Sequence, residues 1–363
     1  MKVILAIDSF KGCLTSVEAN QAAAEGIRSI IPDAEIIEIP VSDGGEGFID
    51  AFHAAIGGKM VETTVKDPLM RPVMARYLLN GETAVIEIAQ ASGLTLLTKE
   101  ERNPMVATSY GTGQMVADAV RRGAKHVIVG LGGSATSDAG IGMLRAIIDN
   151  FAHHTSNPTG KSLGIWDDVK ELRGVRFTIA SDVNNPLCGI QGAAHVFAPQ
   201  KGATPEMVSQ LDERARKFAD ISAKHFGFDR SQNPGAGAAG GLGYAFMQYM
   251  DADYKSGIQL LLDTVGFSDI AKDADFIVTG EGSADRQTLM GKLPMGILEQ
   301  SGTVPVYLIT GRVNDRDALL QAGFERVECI NPPGTPLEEA LQKEVAQRNI
   351  IKTLQVCCML QQD

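Results

Sequence analysis

A short apolar run, residues 3–7, gives way to a polar turn at residues 8–12 and then to a helix. The helix start carries Thr15 and Glu18 in capping-box spacing, and its pattern lasts to about residue 31, before Pro32. The order repeats at once: residues 35–40 read as a strand, SDGGEG (42–47) as a loop, and the following residues up to Gly57 as a helix. Such alternation builds βαβ units on a parallel sheet, whose loops at the carboxyl ends of the strands form the usual ligand crevice. The rhythm changes with residues 73–79, Asn80-Gly81 and residues 83–88, a hairpin that a purely parallel sheet does not need, so a domain boundary is expected near residue 68. Further strands are expected at residues 125–129, 175–180, 193–197 and 275–279. Helices are expected at 112–122 and, with Pro205 at its first position, from Thr204 to about Gly227. Past Lys292 the opening rhythm returns: helix, strand 304–310, helix 315–322, strand 326–330 and a terminal helix marked by Thr335, Pro336 and Glu338 as a second capping box. The expectation is an α/β protein of two domains, one of them split, with the middle of the chain inserted into it.

Length and charge fit that organisation. The 363 residues suit two domains better than one, and 44% hydrophobic residues suffice for sizeable cores. Lys and Arg number 33 against 44 Asp and Glu, a net charge of −11 that disfavours nucleic acid and anionic lipid as partners. No run approaches the ~18 apolar residues of a membrane span, and the start is too short for a secretory signal, so a cytoplasmic protein is expected. The cysteines at 13, 188, 329, 357 and 358 show no Cys-x-x-Cys pairing, which argues against a disulfide scaffold or a zinc site.

The 39 glycines come in clusters, several of them between a strand and a helix. There, free backbone N–H groups and the positive end of the helix dipole can face an anion. GLGGSATSDAG (130–140) is the clearest case. PGAGAAGGLG (234–243) holds Gly235, Gly237 and Gly240 in dinucleotide-loop spacing, but no strand precedes it, so close helix packing or a generic phosphate loop reads better. The P-loop, protein-kinase and nucleophile-elbow signatures are absent from the sequence. Asp8, Asp43, Asp138, Asp182, Glu281 and Asp285 fall beside strand ends or glycine runs, where carboxylates hold Mg²⁺ or accept a hydroxyl proton. Lys11, Lys201, Lys292 and Arg286 stand among them as candidate anion contacts. Glycine-rich donors, lysines and carboxylates together meet the demands of phosphoryl transfer. A nicotinamide oxidoreductase acting on hydroxypyruvate or glycerate and a non-enzymatic carboxylate- or sugar-phosphate-binding module stand as alternatives.

Eight blocks in order carry a resemblance: DSFKG (8–12), SDGGEG (42–47), RNPMVATSYGTG (102–113), GLGGSATSDAG (130–140), SDVNNPLCG (181–189), APQKGATPEM (198–207), PGAGAAGGLG (234–243) and TGEGSADRQTLMGK (279–292). Together they resemble the bacterial glycerate kinases of the type that makes 2-phosphoglycerate. The resemblance implies an ATP- and Mg²⁺-dependent kinase acting on D-glycerate. It also implies a flavodoxin-like domain from residues 1–67 and 290–363, an inserted restriction-endonuclease-like α/β domain from residues 68–289, and a substrate cleft between them. It leaves phosphorylation at O3 open as the alternative to O2. Within it, Asp182 or Asp43 is the expected acid–base carboxylate. Lys11 and Lys292 neutralise the transferring phosphoryl group or the substrate carboxylate, and Glu281 and Asp285 hold Mg²⁺. Gly132, Gly133 and Ser134 form an anion cradle, and Asp8, Ser9, Gly44, Gly45, Lys201, Gly282 and Arg286 complete the expected substrate and ATP contacts. The match is weaker across residues 146–173 and around residues 311–313.

Overall fold

The structure is a computed structural model that describes residues 1–10, 12–42, 44–45, 47–151, 163–286, 288–290 and 292–360. Two compact units divide the chain, the first from residues 1–43, 50–57 and 257–363, the second from residues 44–49 and 58–256. In chain order the strands are β1 (Lys2–Ile7), β2 (Glu35–Glu38), β3 (Lys59–Lys66), β4 (Pro72–Asn80), β5 (Thr83–Glu87), β6 (His126–Gly130), β7 (Arg176–Ala180), β8 (Asp253–Lys255), β9 (Phe276–Glu281), β10 (Val306–Thr310) and β11 (Arg326–Cys329).

In the first unit the sheet runs β11-β10-β9-β1-β2 and every pairing is parallel. From Val3 to Ile7 each residue of β1 is fully buried, which is why the strand reads as an unbroken apolar run rather than an alternating one. The Ser16–Ile30 helix starts as its residues dictate: the Thr15 hydroxyl accepts from the Glu18 amide at 3.2 Å and the Glu18 carboxylate accepts from the Thr15 amide at 2.9 Å. This helix packs on the Lys343–Met359 helix at Gly26, where a Cβ would stand 2.7 Å from the Ile351 carbonyl oxygen. The chain leaves β1 towards β2 on one side and re-enters at β9 on the other, so the topological switch point lies between β1 and β9.

The second unit holds a mixed sheet ordered β3-β4-β5-β6-β7-β8, antiparallel over β3-β4-β5 and parallel from β5 to β8. The Asn80-Gly81 hairpin forms as read, with Asn80 opposite Thr83 and Gly81 at φ 56°.

Four expectations need correction. Residues 193–197 form a helix, Ala193–Phe197, whose Ala194 packs with Ala198, Val208 and Leu211; five residues are too few for periodicity to tell strand from helix. The second capping box does not form: Thr335 donates its hydroxyl to the Pro332 carbonyl at 2.8 Å, a short Leu337–Ala340 helix follows, and the terminal helix starts separately at Lys343. Strand β9 sits in the middle of the first unit's sheet, so that unit resumes at residue 257 rather than 290. Strand β3 lies in the other sheet, so the first unit breaks off at residue 57 rather than 67. The local pattern carried the strands, but sheet membership is a non-local property.

Candidate active site

In the second unit the glycine-rich run leaves β6 and is fixed by main chain on every side. The Gly132 amide donates to the Gly44 carbonyl at 2.9 Å and the Leu131 amide to the Ala180 carbonyl at 3.0 Å. A Cβ on Gly132 would stand 2.3 Å from the Gly45 Cα, and one on Gly44 would stand 2.9 Å from the Ala180 oxygen. Gly132, expected in the anion cradle, and Gly44 and Gly45, expected as substrate or ATP contacts, therefore meet as bare backbone, and at positions 44 and 132 only glycine allows the approach. Gly133 turns at φ 72°, and its carbonyl accepts from Leu94 at 2.8 Å. The Ser134 hydroxyl accepts from the Thr136 amide at 3.0 Å and lies 3.0 Å from the Thr136 hydroxyl, so it holds the turn.

Lys201, expected as an anion contact, is 3% exposed, and its Nζ donates to the Thr136 carbonyl at 2.6 Å. Burial pulls its pKa down to about 8, against a smaller opposing pull from the Asp138 carboxylate. The ammonium is a strut under the loop. Asp138 is used up in a similar way: its carboxylate accepts from Ser109 (amide and hydroxyl, both 2.9 Å), Gly140 (3.1 Å) and Gly142 (3.1 Å), capping the Ile141–Phe151 helix. The 234–243 run packs against the same loop. Ala239, Gly240 and Gly241 take φ values of 53°, 67° and 95°, and a Cβ on Gly240 would stand 2.0 Å from the Thr136 oxygen. Its dinucleotide-like spacing is thus spent on loop-against-loop packing. Asp182 follows β7, and its Oδ1 accepts from the Ser256 hydroxyl, just past β8, at 2.9 Å. The neighbouring Tyr254 phenol is pushed up to about 12 by burial and by the Asp182 charge.

In the first unit the candidate residues gather where β1 and β9 end. The Asp8 amide donates to the Gly280 carbonyl at 2.9 Å, and the buried Asp8 carboxylate accepts from the Ser9 amide at 2.7 Å. At the end of β9, Glu281 Oε1 accepts from the Thr288 hydroxyl at 2.6 Å, and Oε2 lies 3.7 Å from Lys292 Nζ. Thr288 Oγ1 in turn accepts from the Asp285 amide at 3.1 Å. Burial holds the Glu281 carboxyl above the usual range; the Thr288 hydrogen bond and the Lys292 charge oppose this, and the Asp285 charge adds to it. Arg286 is exposed and stands 3.9 Å from Asp315, and Gly282 is exposed beside the Gly311 turn. Five expected residues, Asp8, Ser9, Glu281, Asp285 and Lys292, therefore flank the switch point, where open α/β sheets bind ligands. Lys11 and Asp43 lie outside the described residues. Reading the sequence missed Thr288, Thr136 and Ser256. The first two stood inside the recognised blocks as unremarkable hydroxyls, and the third follows a three-residue strand with no periodic signal. Among the described residues no group of three or more His, Cys, Asp or Glu side chains is placed to hold a metal, and no helix is long and apolar enough to cross a membrane.

Parallel-sheet topology, a glycine-built loop and a carboxylate–lysine pair at the switch point describe a small-molecule phosphotransferase. The profile of the glycerate kinase family matches residues 3–361, and the chain belongs to that family; it is an ATP-dependent kinase. It is 41% identical over 356 residues to a glycerate kinase of Bacillus subtilis (strain 168), covering 94% of this chain and 93% of the relative. It is 37% identical over 375 residues to a glycerate 2-kinase of Escherichia coli (strain K12), covering 98% of each. The crystal structure of a candidate glycerate kinase 2 from Salmonella typhimurium LT2 superposes with a TM-score of 0.81 at 34% identity, over 100% of this chain and 98% of that one.

Proposed function

We propose that the enzyme transfers the γ-phosphoryl group of ATP to O2 of D-glycerate, giving 2-phosphoglycerate. The support for O2 is the likeness to the Escherichia coli glycerate 2-kinase across nearly the whole of both chains. In this reading Asp182, held by Ser256, accepts the proton of the attacking hydroxyl. The close-packed bare backbone of Gly44, Gly45 and Gly132 fixes the glycine-rich loop, and Gly133 and Ser134 shape the turn with which that loop would meet an anion. Lys292 brings positive charge against transferring phosphate beside Glu281; Asp8 and Ser9 follow the carboxyl end of β1, and Gly282 and Arg286 that of its neighbour β9. Lys11 and Asp43 remain proposed from their motifs alone.

The donors at the end of β9 suit Mg²⁺. Glu281 and Asp285 offer only oxygen, and magnesium characteristically takes one or two carboxylates and completes its shell with substrate phosphate and water. Bound there, the ion would neutralise charge on the phosphate oxygens. The five cysteines are free thiols, in keeping with the cytoplasm as the place of action.

The test is to incubate the protein with ATP, Mg²⁺ and D-glycerate and to identify the product by ³¹P NMR. A 2-phosphoglycerate signal is expected; 3-phosphoglycerate would overturn the regiochemistry, and the absence of ATP-dependent product would overturn the kinase reading.

A further inference from the structure

The block RNPMVATSYGTG has no role in the chemistry derived above, yet it walls a cavity of about 420 Å³ within the second unit. The opposite wall is the far end of the glycine-rich loop, Ser137 and Asp138, with Ile141 opening the helix behind it. The volume falls in the range of ligand pockets, ~300–1,000 Å³. It is open to solvent and has a mixed lining, with Thr108, Tyr110, Asp138 and Asp149 on it beside an apolar part: Met70, Val106 and Ile141 are exposed and border it together with Met105. A cluster of solvent-facing apolar side chains around one hollow marks a binding surface. Met70 also holds a left-handed backbone, φ 65°, which a non-glycine residue adopts at some expense, and the turn is kept there by Asp67, whose carboxylate accepts from Leu69 and Arg71, each at 2.8 Å. Beside the cavity the Ser137 hydroxyl is buried, the residue being 8% exposed, with no hydrogen-bond partner among the described residues. An unsatisfied buried hydroxyl next to a ligand-sized hollow is a polar group left for an occupant to complete. Arg145 and Arg214 line it too, Arg145 lying 3.8 Å from the Asp149 carboxylate and Arg214 donating to the Met105 carbonyl at 3.4 Å, so two guanidiniums stand there beside the Asp138 and Asp149 carboxylates.

We propose that this cavity takes the purine base of the nucleotide, with Met70, Met105, Val106 and Ile141 on the faces of the ring and Arg145 and Arg214 beside the ribose and phosphates. The inference rests on the kinase reading above and adds to it the place of the nucleotide. Of that reaction's two substrates, only the nucleotide carries a large apolar surface; glycerate is polar throughout and has nothing to bury against two methionines, a valine and an isoleucine. Thioether sulfurs and aliphatic side chains make good contact with flat π-systems. The wall is shared with the glycine-rich loop, so a base seated here has its phosphates within the same unit as the backbone donors of that loop.

Two measurements test this on the full-length enzyme. Photolysis with 8-azido-ATP, followed by peptide mapping, is expected to label residues 104–110 or 137–145. Val106→Glu, at a position 61% exposed and therefore safe for folding, is expected to raise KM for ATP at least tenfold while KM for glycerate stays within twofold. Label confined to other segments, or an unchanged ATP KM in the variant, would overturn the assignment while glycerate phosphorylation by the wild type left the kinase reading standing. A wild type that forms no phosphoglycerate from ATP would remove both.

Discussion

Replacing Lys201 with methionine tests the view of its ammonium as a buried strut. The pKa falls from the ordinary 10.5 to about 8 in the folded protein, with burial as the main cause. At ~1.36 kcal/mol per pH unit, the difference between 10.5 and 8 makes the charged form about 3 kcal/mol worse off in the fold than in the unfolded chain at neutral pH. Methionine removes that burden but leaves the Thr136 carbonyl without its donor, a loss of ~1–3 kcal/mol. The two effects nearly cancel at pH 7, where the variant is expected within ~2 kcal/mol of the wild type. Their pH dependence does not cancel. Between pH 8 and 10.5 the unfolded chain keeps the proton that the folded protein has released, so the unfolded state binds more protons and wild-type stability rises with pH. Relative to Lys201→Met, the wild type should gain about 2 to 3 kcal/mol between pH ~7 and ~10. Urea denaturation followed through Trp166 reads this directly, because the chain's single tryptophan packs edge-on against Tyr249 in the same unit. Stability curves that stay parallel over that pH range would refute the argument.

Asp182→Asn is expected to lower kcat by ~100-fold or more with an unchanged Trp166 spectrum, as loss of a general base does; turnover at the wild-type rate in a coupled ADP-release assay would take Asp182 off the list. Gly240→Ala should destabilise the second unit by ~2 kcal/mol or more, since the added methyl would stand 2.0 Å from the Thr136 oxygen at φ 67°. Gly227→Ala, at φ 78° with open space around it, should cost only about 1 kcal/mol by the same urea titration. Because burial raises the Glu281 pKa, the acid limb of kcat/KM is expected at higher pH than for an ordinary carboxylate, activity falling as Glu281 takes up its proton. In Glu281→Gln that limb should vanish and the Mg²⁺ concentration for half-maximal activity should rise; an unaltered pH–rate profile would count against the assignment.

Much of this architecture was legible because it is local. The apolar run of β1, the Thr15–Glu18 capping box and the Asn80-Gly81 turn are decided by neighbours within a few residues, and all three form as their side chains require. The family blocks were legible because close backbone approaches tolerate only glycine, as at Gly44 and Gly132. What could not be read is what depends on distant partners. The placement of β9 beside β1, the pairing of Ser256 with Asp182, and the burial of Lys201 each join segments more than 60 residues apart. Lys201 is the instructive case: a lysine among glycines looks like an anion contact in sequence, and only its 3% exposure shows that it braces a carbonyl instead.

The position of β1 has a consequence during synthesis. One edge of this strand, apolar from Val3 to Ile7, pairs with β9, and the Thr279 hydroxyl donates to the Ala6 carbonyl across 273 residues of sequence. At ~5–20 residues per second, a nascent chain leaves that edge uncovered for tens of seconds after it has emerged from the ribosome. The unit made from residues 44–49 and 58–256 is complete on the ribosome before β9 exists. Vectorial translation therefore closes the first unit last and leaves a sticky ribbon waiting, a natural client for a holdase chaperone.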